Sequence, residues 1–207
     1  MTRDIAFACV EFAAIAAIAV FGFWVSPLIG LLVLASVSLM LRSKGWSHAG
    51  FHCGDRTVLV LTTGAVLGTA ALLGIAWLWA PALEDLSGRA VELNVLPPLR
   101  GHSGLLVTAL LLAFASAFAI EMVFRGYLFE RIRELINNDA LAIVASAAAY
   151  AAVVAEQGLA SVVGALVMGV GYGLMYLAGN RTLVFPIAFH CAFDSTNLVL
   201  IYLKVVG

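Results

Sequence analysis

Charge is what this 207-residue chain has least of: its 11 Lys and Arg and 12 Asp and Glu make up 11% of the residues, against roughly a quarter in soluble domains. The formal net charge of −1 comes with no basic run and no acidic tail, so nothing points to a nucleic-acid partner. Cysteine is scarce and odd in number. Cys9, Cys53 and Cys191 lie far apart, without the spacing of a disulfide framework or a zinc knuckle, and read as core-filling thiols. Internal repeats and low-complexity tracts are also absent, which argues against a solenoid or a disordered tail. What the chain has instead is apolar residues, 63% of the total. That composition predicts an integral membrane protein of the all-α class, a polytopic bundle of transmembrane helices around a polar intramembrane cavity.

Seven spans are legible. The opening Met-Thr-Arg-Asp precedes an apolar run of about twenty residues, too long for the apolar region of a signal peptide, so residues 5–25 are expected as a retained first span. Ser26-Pro27 breaks it, and 28–41 form a shorter second span ending at Arg42 and Lys44. The polar stretch 42–56, with Trp46, His48 and His52, has the character of a segment lying at the membrane interface. Residues 57–79 are the third span, and 81–104 form a long loop with room for an eighth. The fourth span, 105–124, continues as an amphipathic helix over 126–136 that should place Glu130, Arg131, Arg133 and Glu134 in water. Residues 141–155, 159–177 and 182–203 complete the set. With the N-terminus inside, eight of the eleven basic residues fall on the inner side, as the bias of cytoplasmic loops toward Lys and Arg requires. The organisation is a hairpin and interfacial segment (1–56), a third span and outer loop (57–104) and a core (105–207).

Inside that apolar frame a few polar residues stand out. Glu121 follows sixteen uncharged residues, and Arg125 comes four later, which puts acid and base on one helical face in the favourable order. An unreceived carboxylate at such depth costs about 2.5 to 3.5 kcal/mol on insertion scales. His190 and Asp194 repeat the one-turn spacing in the last span, and Asn197 extends their face. Pro186, a turn earlier, should loosen that helix. Both pairs fall at depths that would let them share one cavity. Each also has a plainer reading: Glu121 with Arg125 as an ion pair fixing span four, and His190 as a hydrogen-bonded core histidine. Glu11 in span one is read as structural. His48 and His52 read as a chance cluster. His190, Asp194 and Glu121 make too thin a shell for zinc, and no cofactor is expected. Gly169 and Gly173 have the spacing that allows close helix approach, read as internal packing.

Two of these motifs carry a resemblance. Glu121-Met-Val-Phe124-Arg125-Gly126 and Pro186-Ile-Ala-Phe-His190-Cys-Ala-Phe-Asp194 resemble the motifs of the CAAX prenyl protease and bacteriocin-processing (CPBP) family of intramembrane endopeptidases, over residues 105–203. In that family two adjacent glutamates precede the Phe-Arg-Gly, an aromatic residue stands four before a histidine, and a later His-x-x-x-Asn or Asp follows. The resemblance implies that the first glutamate and the second-motif histidine activate water, while the last-motif pair stabilises the oxyanion. Glu121, His190 and Asp194 would then be the catalytic residues, with Arg125, Tyr150 and Asn197 in binding or structural roles. Ile120, however, stands where the first glutamate belongs, and alignment of Tyr150 with the motif aromatic puts Val154 at the histidine position. Glu156 and Gln157 lie just beyond and do not replace it. The resemblance implies a bacterial inner-membrane location and an endopeptidase for a lipidated or membrane-delivered peptide. The missing water-activating half implies a degenerate member that binds a hydrophobic peptide, lipid or membrane-protein partner. A proton-coupled transporter is a third reading, with no inverted repeat behind it.

Overall fold

The computed structural model describes residues 10–11, 13–14, 27–42, 44–52, 54–79, 99 and 102–203. Among them the regular structure is entirely helical. Helices α1 (Pro27–Leu41) and α2 (Thr57–Gly74) are followed by α3 (Ser103–Glu121) and α4 (Glu130–Ile136). Then come α5 (Asp139–Val153), α6 (Leu159–Ala178) and α7 (Val184–Tyr202). A π-helical turn, Ile75–Trp79, extends α2, and a longer π-helical segment, Met122–Phe129, joins α3 to α4. The expected spans from the second to the seventh thus fall on helices, while the first span and most of the 81–104 loop lie outside the described residues.

Among the described residues four helical stretches are long and apolar enough to cross a membrane: Thr57–Leu78, Ser103–Ile136, Ser161–Ala178 and Val184–Tyr202. At 1.5 Å per residue, the 34 residues of the second reach about 50 Å, well past a hydrocarbon core of roughly 30 Å. Helix α5, of 15 residues, reaches only about 22 Å, shorter than a full span needs, and the described part of α1 has the same length.

Local sequence accounts for the ends. Asn137 adopts the left-handed conformation (φ 48°) that closes α4, and Asn138 caps α5 by accepting a hydrogen bond from the Leu141 N–H at 3.0 Å. Pro186 does not loosen the last helix as expected. The helix begins only at Val184, so the N–H that proline lacks belongs to a first turn that has no intrahelical acceptors anyway.

The chain forms two compact units, Met1–Gly54 with Ala119–Pro186 and Asp55–Phe118 with Ile187–Gly207. In the first, the apolar core gathers Leu31, Ala35 and Leu39 of α1 around Val123, Phe124, Tyr127 and Leu128 of the π-helical segment. Gly169 and Gly173 let α6 close on α5: a Cβ at 169 would sit 2.9 Å from the Ala147 Cβ, and one at 173 would sit 3.0 Å from Ile143. Internal packing is therefore what this pair of small residues serves. The interfacial stretch is tied down as well, since the Leu183 N–H donates to the Gly50 carbonyl at 2.9 Å and the Thr182 hydroxyl to the His52 carbonyl at 3.0 Å.

In the second unit Leu99, Leu198 and Ile201 form a small core on which Leu106, Leu110 and Ala113 of α3 pack. Helix α2 meets α7 at backbone distance. A Cβ on Gly68 would lie 2.2 Å from the Phe189 carbonyl oxygen, so only glycine permits the approach, and the Thr69 and Thr196 hydroxyls meet at 3.3 Å beside it.

Candidate functional site

The π-helical segment opens directly after Glu121, and all eight of its residues are buried. Glu121 and Arg125 form the ion pair that their spacing predicts: Arg125 Nη1 donates to Glu121 Oε1 at 3.4 Å, and Nε lies 3.4 Å from Oε2. Both side chains are completely buried. The guanidinium spends a further donor on the Gly169 carbonyl at 3.0 Å. Its Cζ lies 5.0 Å from the Tyr172 ring, 5.2 Å from Tyr150 and 6.0 Å from Phe124, distances at which a desolvated cation is attracted to the ring faces. Gly169 serves this contact too, because a Cβ there would come 3.2 Å from Arg125 Nη2. The arginine is thus held by a carboxylate, a carbonyl and three aromatic rings.

Ile120 packs on the apolar cluster of the first unit, together with Tyr150 and Val153. The Phe124 and Tyr150 rings sit 5.3 Å apart. Val154 is half-buried in the turn that ends α5, and Gln157 is exposed, while the Glu156 side chain lies outside the described residues. Hydrocarbon therefore occupies the positions that resemblance gives to a base and a histidine. Gly126 completes the motif for a packing reason, since a Cβ there would lie 2.7 Å from the Ala49 carbonyl oxygen.

The charged residues of α4 form only part of the wet face expected of them: Glu134 is exposed and Arg133 a third open, while Glu130 and Arg131 are largely enclosed. Arg131 is only 6% exposed, and its Nε donates to Glu11 at 2.7 Å. Glu11 also accepts from the Tyr127 hydroxyl at 2.8 Å and from Ser38, so its expected structural role takes the form of a buried carboxylate with three donors. Glu134 receives Arg131, Arg42 and Lys44. On the other flank Glu130 accepts from the Tyr176 hydroxyl at 2.9 Å, and Asp139 pairs with Arg133 and Arg181. The reason is a matter of partners. Most of these charges find a counter-ion on another element, which the helical pattern of 126–136 alone does not reveal.

In the second unit the last-helix pair also forms. His190 Nε2 lies 3.5 Å from Asp194 Oδ2, with the imidazole nearly buried and the aspartate side chain 33% exposed. Asn197, on the same helix, is half-buried. Among the described residues no three His, Cys, Asp or Glu side chains gather in a way that could hold a metal ion. His48 and His52 are exposed.

Helices of this length and apolarity, with ion pairs enclosed in them, define a helical integral membrane protein. Residues 102–196 match the family described as type II CAAX prenyl endopeptidase, Rce1-like. The match covers a little under half of the chain and agrees with the resemblance its motifs carry. No curated protein and no solved structure matches the chain.

Proposed function

We propose that this protein is a CAAX-protease-like intramembrane protein that receives a hydrophobic or lipidated peptide, or a segment of a membrane-protein partner, without hydrolysing it. The observation that carries this reading is Ile120, packed among apolar side chains at the position of the family's first glutamate. General-base work needs a carboxylate within hydrogen-bond reach of the water it activates. Glu121 is a poor substitute, since both of its oxygens lie against the Arg125 guanidinium and the side chain is fully buried, so the carboxylate is committed to a cation rather than to a water. In this reading seven or eight spans enclose a polar cavity, the N-terminus faces the cytoplasm of a bacterial cell, and Asp194 and Asn197 meet the ligand. Photo-crosslinking of a prenylated CAAX-like peptide to the purified protein tests it. The peptide should be captured intact, and capture should fall in Asp194→Ala.

A second reading, retained peptidase activity, is favoured by the His190–Asp194 pair, which keeps the two groups of an oxyanion-stabilising half within reach of each other. Loss of general acid–base assistance alone lowers a rate by typically 10²- to 10⁴-fold, so this reading predicts slow but measurable cleavage.

A further inference from the structure

The two ion clusters flanking α4 differ in their balance. Around Asp139 and Glu130, two carboxylates meet two cations, Arg133 and Arg181. Around Glu134, the three cations Arg42, Lys44 and Arg131 meet two carboxylates among the described residues, Glu134 itself and Glu11, which leaves one positive charge over among them. Donors are in excess as well. An arginine carries five N–H groups and a lysine three, and among the described residues Arg42 Nε is buried without an acceptor. The cluster is open on one side, with Lys44 35% and Glu134 31% exposed at their side chains. It lies at the end of the long apolar helix Ser103–Ile136, with Trp46 following Lys44 after a single glycine and packing half-buried on the core.

We infer that the Arg42–Lys44–Arg131 cluster binds the phosphodiester of an anionic phospholipid. Arg42 and Lys44 hold the phosphate oxygens from the open side, and Arg131, pinned by Glu11, supplies the field behind them. Tryptophan and basic side chains at the level where a helix leaves the hydrocarbon are what a headgroup meets, and each such cation adds to the attraction of an anionic leaflet. The inference rests on the membrane-embedded reading and is independent of whether the protein cleaves peptides.

The test is native mass spectrometry and thermal unfolding of the full chain in a neutral detergent, with phosphatidylglycerol or phosphatidylcholine added at matched mole fraction. Phosphatidylglycerol should be retained and raise Tm more than phosphatidylcholine does. Arg42→Gln with Lys44→Gln should reduce that preference on the order of tenfold or more. Glu134→Gln, which leaves the cations in place and frees their donors, should strengthen it, so the inference stands on a second variant should the first fold poorly. Equal effects of the two lipids, or a preference unchanged in both variants, would overturn it. Glycerol phosphate stabilising as well as the lipid does would assign the site to a soluble anion and overturn it too. Release of the protein from membranes by alkaline carbonate would instead count against membrane embedding.

Discussion

Two polar pairs share one spacing and differ in everything around it. Glu121 and Arg125 are fully enclosed, and the arginine is claimed by a carbonyl and three aromatic rings. His190 and Asp194 stand at 3.5 Å with a third of the aspartate side chain open. The first arrangement has no donor or acceptor facing outward to offer a ligand. The second does. A one-turn acid–base pair in an apolar helix therefore carries no single meaning. On the proposed reading, the groups that reach each pair from other elements make a strut of the enclosed one, which the family motif marks most strongly, and a site of the open one.

The sharpest way to break that contrast is to remove the cation of the strut. Arg125→Ala leaves the Glu121 carboxylate buried without its counter-ion, and removal of one partner of a buried pair costs roughly 3 to 5 kcal/mol. Thermal unfolding in detergent should show a larger loss for this variant than for any single substitution at Gly68 or Asp194. Replacement of both residues, Glu121→Gln with Arg125→Met, should recover a good part of it, because no lone charge remains.

Gly68→Ala should come next. Its Cβ would be driven to 2.2 Å from the Phe189 carbonyl oxygen, so α2 and α7 must part. Overpacking of this kind costs about 1 to 3 kcal/mol, and in this protein it also disturbs the residue preceding His190, so peptide capture should fall along with Tm. Smallest in stability is Asp194→Asn. A partly exposed polar pair of this kind contributes no more than the roughly 0 to 1 kcal/mol of an exposed salt bridge, so Tm should hardly move while peptide capture drops. If Asp194→Asn unfolds the protein and Arg125→Ala does not, the strut and the site have been assigned the wrong way round.

Much of the architecture is legible in the sequence because apolar runs and their interruptions are local. The Asn137-Asn138 turn and the Gly158 turn each fall at a helix boundary, and the Glu121–Arg125 and His190–Asp194 pairs follow from spacing within one helix. What the sequence conceals is long-range. Glu11 meets Arg131 across 120 positions and Arg125 meets the Gly169 carbonyl across 44, and neither partner carries a mark that names the other. Tyr172 escapes notice for the same reason, since an aromatic residue in an apolar helix looks like any other until a guanidinium lies against it. Arg131 reads as a wet residue because its own helix is amphipathic, yet a buried carboxylate on the N-terminal segment receives it.

Peptide hydrolysis by the wild-type protein bears most directly on the claim that the water-activating half has been replaced by hydrocarbon. Purified protein, shown to be folded by its unfolding transition, should capture a prenylated CAAX-like peptide and leave it uncut over hours. Cleavage that disappears in His190→Ala would contradict the account, and cleavage that also disappears in Glu121→Gln would make Glu121 the base despite its arginine.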